Sequence, residues 1–272
     1  MIIFSCLKKE FDLYVQKGII SNQVYDAYKK KMGKKSKLNQ IKAWSHSLPE
    51  MMPILSDLPD NAGIAIEFNI PLTSKRVDFV VSGYDINHKP VLLLFELKQW
   101  QNAMDVKNQD AVVKTIFTNK EQKSLHPSYQ ACCYAELLLN YNHFVEEENV
   151  QIIPLVYLHN YSISHHDDLF LNKFKKYYLK APIYGKNEAK ELKTLVDNTI
   201  CFGDDAFIIH QIDQSKTKPN KKLLEAIEEM IENKKEYTLL DEQKVVAEAI
   251  KREVKNSFAT NKKSVIIVKG GP

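Results

Sequence analysis

Apolar residues along positions 7–57 recur at spacings of three and four. Phe11, Leu13, Tyr14, Ile19, Ile20, Val24 and Tyr28 carry this period, which predicts helix. A second helix is expected from Leu38 to Leu55, bent or broken at Pro49 and Pro53. The texture then changes. Residues 64–70 (IAIEFNI), 75–82 (KRVDFVVS) and 91–98 (VLLLFELK) are short, apolar and often β-branched. They predict three consecutive strands, with a turn-rich link at residues 83–88. Pro127 to Tyr141 returns to helical spacing, its proline placed where a helix tolerates one. Residues 150–158 (VQIIPLVYL) predict a fourth, buried strand, with Pro154 marking an edge or a bulge.

Further along, residues 186–197, 221–235 and 241–257 read as helices, and 264–269 (SVIIVK) as a strand. Ser215 to Asn220 is polar, holds Pro219 and reads as a linker. The order helix, three strands, helix, strand predicts an α/β sandwich: one mixed sheet flanked by helices.

Composition narrows the class. The chain has 272 residues, enough for one large domain or two modest ones. With 44% hydrophobic and 26% charged residues it has the material for a core, which excludes disorder as its main state. The net charge of +4 permits a polyanionic partner without requiring one. Cys6, Cys132, Cys133 and Cys201 contain no C-x-x-C pair, which argues against a cysteine zinc site or a disulfide framework and for a reducing, cytoplasmic setting. The N-terminus is charged too soon to be a signal peptide. No apolar run reaches the roughly 18 residues of a membrane span, so no membrane partner is expected.

The chemistry concentrates in two expected strands. Asp78 interrupts an apolar strand, and Glu96 and Lys98 flank Leu97 at the end of the next. Residues two apart on a strand share a face, so Glu96 and Lys98 point the same way. Two carboxylates and a lysine on apolar strands are expensive to bury unless paired or bound to a metal. A divalent cation relieves the repulsion, and Mg²⁺ suits one or two carboxylates with waters and phosphate oxygens. A lysine beside it can hold the attacking water or steady the developing charge. These residue types are suited to hydrolysing phosphodiesters.

Asp78…Glu96-Leu97-Lys98 resembles the D…(D/E)-x-K signature of the PD-(D/E)XK nuclease superfamily. The α-β-β-β-α-β order is similar to the core of that restriction-endonuclease-like fold. Val77 stands where the motif often has proline. Gln130 and Tyr134 resemble the Q-x-x-x-Y element of the RecB-like branch and share a helix face. Glu67 lies on the preceding strand, where related nucleases often carry an extra acid; pairing with Arg76 is the other reading of it. The stretch from Arg76 to Trp100, with the HPSYQA segment at His126 to Ala131, is similar to the N-terminal domain of bacterial proteins in which a Schlafen-type or superfamily-1-like P-loop ATPase follows the nuclease. SVIIVKGGP resembles the opening of a Walker A loop, and Leu239 to Gln243 the adenine-reading glutamine motif.

The resemblance implies a nuclease-like domain over 1–215, a linker helix over 216–236, and the start of an ATPase over 237–272, incomplete at Gly270 and Gly271. It implies Asp78, Glu96, the Leu97 carbonyl and Glu67 as ligands to Mg²⁺ or Mn²⁺. Lys98, Gln130 and Tyr134 complete the catalytic set. Gln243, Gly270 and Gly271 would belong to a nucleotide site that binds ATP only in a full-length protein. The expected partner is DNA, with single-stranded DNA or RNA as the alternatives left open, and the implied role is defence against foreign DNA. The other reading is a catalytically silent nucleic-acid-binding or autoinhibitory domain. Homo-oligomerisation stays open. The lysines at 29–37 read as a solvated face, His165 to Asp168 as a surface loop, and Cys132 and Cys133 as packing residues.

Overall fold

The computed structural model describes residues 2–33, 38–70, 76–117, 120–216, 241–261 and 263–268. The N-terminal stretch opens with a strand, β1 (Ile2–Leu7), before its helices α1 (Lys8–Gln16), α2 (Ile20–Met32), α3 (Leu38–Ser47) and α4 (Met51–Ile54). The expected meander follows as β2 (Gly63–Asn69), β3 (Arg76–Tyr84) and β4 (Pro90–Leu97). After β4 the chain makes a small antiparallel sheet of β5 (Met104–Asp105), β6 (Val112–Phe117) and β7 (Lys120–Leu125). Then come α5 (Pro127–Tyr141), α6 (His143–Glu147), β8 (Gln151–Leu158), α7 (Lys175–Tyr178), β9 (Ile183–Gly185), α8 (Ala189–Thr199) and α9 (Phe207–Gln214). After residues outside the description comes α10 (Asp241–Thr260).

The main sheet is mixed, in the order β1-β2-β3-β4-β8-β9. β1 to β4 pair antiparallel, while β4–β8 and β8–β9 are parallel. A parallel pair needs a long crossover, and residues 98–150, with α5 in them, provide it. β4 is buried from Val91 to Leu97 because helices cover both its faces, which is why VLLLFEL lacks polar alternation. On one face Phe79, Leu93 and Phe95 pack with Phe11, Val24, Met51 and Leu192 of α1, α2, α4 and α8. On the other, Val80, Leu92 and Leu94 pack with Tyr134 and Leu138 of α5 and Ile208 and Ile212 of α9. Pro154 falls where β8 has only β4 beside it, since β9 pairs from Val156 onward. That agrees with its expected edge position.

Asp204 locks α9 to the sheet. It accepts from the Gly63 N–H at 3.0 Å, the Ser82 hydroxyl at 2.8 Å and the Ile208 N–H at 2.9 Å. A Cβ at Gly63 would lie 2.3 Å from Ser82 Oγ and 2.7 Å from Ala206 Cα, so only glycine allows this approach. α10 docks through charge. Lys244 Nζ lies 3.0 Å from Asp110 Oδ2 and 3.5 Å from Glu248 Oε1, and the Asp110 N–H donates to Glu248 at 3.0 Å. Tyr177 OH also donates to Asp110, at 2.7 Å.

Two expectations at the C-terminal side need comment. Residues 264–268 of the expected 264–269 strand carry no regular structure, and Val265 and Ile267 are 89% and 79% exposed. A strand requires a hydrogen-bonding neighbour, and among the described residues none lies beside this run. The expected 221–235 helix, and the 216–236 linker beyond Lys216, lie outside the described residues. β1, the small sheet, β9 and α9 were not anticipated. Among the described residues no helix is long and apolar enough to cross a membrane.

Candidate active site

The registers of β2, β3 and β4 align three acidic residues across the sheet. Ile66 faces Phe79 and Phe68 faces Val77, which places Glu67 opposite Asp78. Phe79 faces Phe95, and one further step brings Asp78 opposite Glu96. The backbone turns over at this row. Ile64 and Ile66 belong to the core layer beneath α1 to α4, whereas Phe68 and Ile70 belong to the layer beneath α5. The reversal sits at Glu67, whose φ of 55° is in the left-handed region that non-glycine residues rarely adopt. Such strain costs of order 1–3 kcal/mol and concentrates at functional positions.

Asp78 lies at the matching switch in β3, between Val77 of one layer and Phe79 of the other. Its Oδ2 accepts the Leu97 N–H at 2.9 Å. Desolvation, with the nearby charge of Glu96, holds its carboxyl well above the usual aspartate range; Glu67 adds to the rise, and Lys98 and the Leu97 N–H oppose it. Glu96 is 3% exposed and sits between Phe95 and Leu97, so it points into the α5 layer. Lys98 Nζ pairs with Glu96 Oε1 and lies 5.7 Å from the centre of the Trp100 ring. Asp78, Glu96 and Lys98 thus come together as expected.

Glu67 is engaged by donors from α3 and β3. Its Oε1 accepts from the Trp44 indole N–H at 2.7 Å, and its Oε2 from Gln40 at 3.1 Å and Arg76 at 2.9 Å. The Arg76 guanidinium also stacks 5.2 Å from the Tyr28 ring. The expected fourth ligand is therefore held in a cradle of three donors, the Arg76 pairing among them. Among the described residues no group of three or more His, Cys, Asp or Glu side chains is placed to hold a metal ion. A cation here would rest on Asp78 and Glu96, backbone and water, a donor set within the habit of Mg²⁺. The mutual repulsion that raises Asp78 is what such a cation would relieve.

Gln130 stands in the first turns of α5 and Tyr134 one turn on. Tyr134 is buried in the layer toward which Glu96 points, with Val77, Leu92 and Leu94. Ala131 and Cys132 pack with Trp100, Val156 and Leu158, which brings the start of α5 over the end of β4 where Lys98 stands. Gln243 lies exposed on α10, and Gly270 and Gly271 lie outside the described residues. Lys29, Lys30 and Lys31 are exposed at the end of α2, and Lys34, Lys35 and Lys37 lie outside the described residues. His165 and His166 are exposed, while Asp167 and Asp168 accept the N–H groups of Leu169 and Asp105. Cys132 and Cys133 are buried packing residues.

Sequence reading missed α3 as the wall of this site. Gln40, Trp44 and Ser47, at i, i+4 and i+7, form one face; that spacing and the tryptophan were the only signals. Comparison of the chain with protein-family models, with curated proteins and with solved structures finds no match.

Proposed function

We propose that the chain is a metal-dependent nuclease that hydrolyses phosphodiester bonds in DNA, built on a restriction-endonuclease-like core. One observation carries the reading. Asp78 and Glu96 oppose each other on adjacent apolar strands, with Asp78 raised by burial and by Glu96, and Lys98 beside them. A buried carboxylate pair in which one member is raised by desolvation and by the other is the pattern of a functional site. The element order α3/α4, β2, β3, β4, α5, β8 supports the fold assignment.

In this reading Asp78 and Glu96 would hold Mg²⁺ or Mn²⁺, with the Leu97 carbonyl as a further ligand. When bound, the cation supplies Lewis acidity toward the phosphate and a more acidic water. Lys98, beside Glu96, would orient the attacking water and balance the growing negative charge. Gln130 and Tyr134, over the end of β4, position Lys98 or the phosphate. Glu67, braced by α3, adds negative potential behind Asp78 rather than a ligand. The larger role is nucleolysis coupled to a following ATPase in defence against foreign DNA; it rests on the resemblance of residues 76–100, 126–131, 239–243 and 264–272.

The test is cleavage of plasmid and single-stranded DNA with Mg²⁺ or Mn²⁺, with and without ATP. Asp78→Ala and Lys98→Ala should each abolish it. Cleavage that survives both substitutions refutes this site. Salt-sensitive DNA binding without cleavage, by contrast, would favour the silent binding module.

A further inference from the structure

Lys98 stands one residue past β4, where strand pairing stops holding the backbone. The last rung is the Lys98 N–H donating to the Tyr157 carbonyl at 3.1 Å. Beyond it, side chains continue the connection. The Gln99 amide nitrogen donates to the Ala43 carbonyl at 3.1 Å and to Ser47 Oγ at 3.0 Å. Ser47 Oγ lies 3.1 Å from Nε2 of His159, the residue that follows β8. Ser47 and His159 are both buried.

The side-chain inventory satisfies each bond of this chain. Gln99 uses its two amide hydrogens on Ala43 and Ser47. The Ser47 hydroxyl accepts one of them, and with a second lone pair and its own hydrogen it bonds His159 Nε2 in either tautomer of the ring. Burial pushes the His159 pKa down, against the nearby Glu50 charge, which agrees with a neutral imidazole. Consecutive residues at a strand end face opposite sides, so Gln99 bound on the α3 side leaves Lys98 on the α5 side, facing Glu96. The same helix face grips Glu67 through Gln40 and Trp44. One helix therefore holds both flanks of the acidic row.

We propose that Gln99, Ser47 and His159 form a side-chain tie that places Lys98 against Glu96 and Asp78, making all three positioning residues for the nuclease reaction. The catalytic part of this inference rests on the nuclease reading above; the tie itself does not.

The chain has two tryptophans, Trp44 and Trp100, so 5-fluorotryptophan labelling gives two ¹⁹F signals. The Lys98 ammonium faces the Trp100 ring, whose signal reports on its position. In Ser47→Ala and His159→Leu the Trp100 signal should move, and Ser47→Thr and His159→Gln, which retain a hydroxyl or an acceptor, should return it toward wild type. With Mn²⁺ and a single-stranded oligonucleotide, Ser47→Ala should lower kcat by about 10- to 100-fold with KM little changed, as expected for a reacting group displaced by about 1 Å. Ser47→Thr should restore most of the rate. A Trp100 signal that stays in place in Ser47→Ala and His159→Leu overturns the tie, whether or not the wild type cleaves DNA. Wild-type cleavage with kcat unchanged in both variants overturns the positioning role. A wild type that cleaves nothing, with the signal moved in both variants, supports the tie and sinks the nuclease reading instead.

Discussion

Asp78→Asn should make the metal-free protein more stable at neutral pH. In the folded chain the Asp78 carboxylate is desolvated and faces Glu96, which raises its pKa well above the ordinary value near 3.9. Each unit of rise corresponds to about 1.4 kcal/mol lost to the folded state while the group is ionised. A raised carboxylate pKa destabilises above the folded value; the penalty shrinks as pH falls through that value and is gone below the unfolded one. Asparagine is nearly isosteric and its Oδ1 can still accept the Leu97 N–H. Replacing a charge-assisted bond by a neutral one gives back about 1 kcal/mol. The desolvation and the Glu96 repulsion that raise Asp78 outweigh that loss, so the variant is the more stable at neutral pH. For a chain of this size each kcal/mol moves Tm by roughly 2–4 °C. The assay is thermal unfolding in EDTA from pH 4 to pH 8. The variant should melt higher at pH 7, and the gap should close toward pH 4. Mn²⁺ at about 100 times its Kd should stabilise the wild type by about 2.7 kcal/mol and the variant by far less. A variant that melts lower than wild type at pH 7, with a gap independent of pH, would falsify the electrostatic account of the site.

Three further outcomes follow from the contacts. A double-mutant cycle of Trp44→Phe and Glu67→Gln should give a coupling of about 1.5–3 kcal/mol in urea unfolding, the range for a hydrogen bond to a charge; a coupling below about 0.5 kcal/mol would mean that the two act independently. Asp204→Ala leaves the Gly63 and Ile208 N–H groups and the Ser82 hydroxyl without their acceptor, and should cost at least about 3 kcal/mol by the same measurement. A loss within about 0.5 kcal/mol would show that α9 is held by packing alone. Lys244→Ala strips Asp110 and Glu248 of their shared cation, so limited proteolysis within Asp241–Thr260 should accelerate while the core stays resistant; an unchanged cleavage pattern would refute the charged docking of α10.

The central layer was legible because its elements carry unmixed signals. β2, β3 and β4 are short apolar runs between turn residues, and α5 holds a helical period behind a proline, so their positions came within a residue or two. The Asp78, Glu96 and Lys98 group was legible because charge inside apolar strands is costly and therefore conspicuous. What stayed hidden depends on distant partners. Ile2–Leu7 becomes a strand only because β2 offers an edge. Phe207–Gln214 has an apolar run that suits either period, and Asp204 with the sheet decides for helix. The donors that Trp44 and Gln40 bring to Glu67 were hidden because the reversal at φ 55° leaves no mark in a one-dimensional pattern. Ser47, Gln99 and His159 are ordinary letters, and only folding brings residues 47 and 159 together.

Pro154 has a consequence for how copies of this chain meet. The first half of β8 is a rim with main-chain groups turned outward, the kind of border to which a stray extended peptide attaches. Proline brings no amide hydrogen, so a visiting segment laid along Gln151–Leu155 finds a gap in the rungs that would zip it on. The residue thus acts as a guard against sheet-to-sheet fusion, and replacing it with valine would open that border to aggregation.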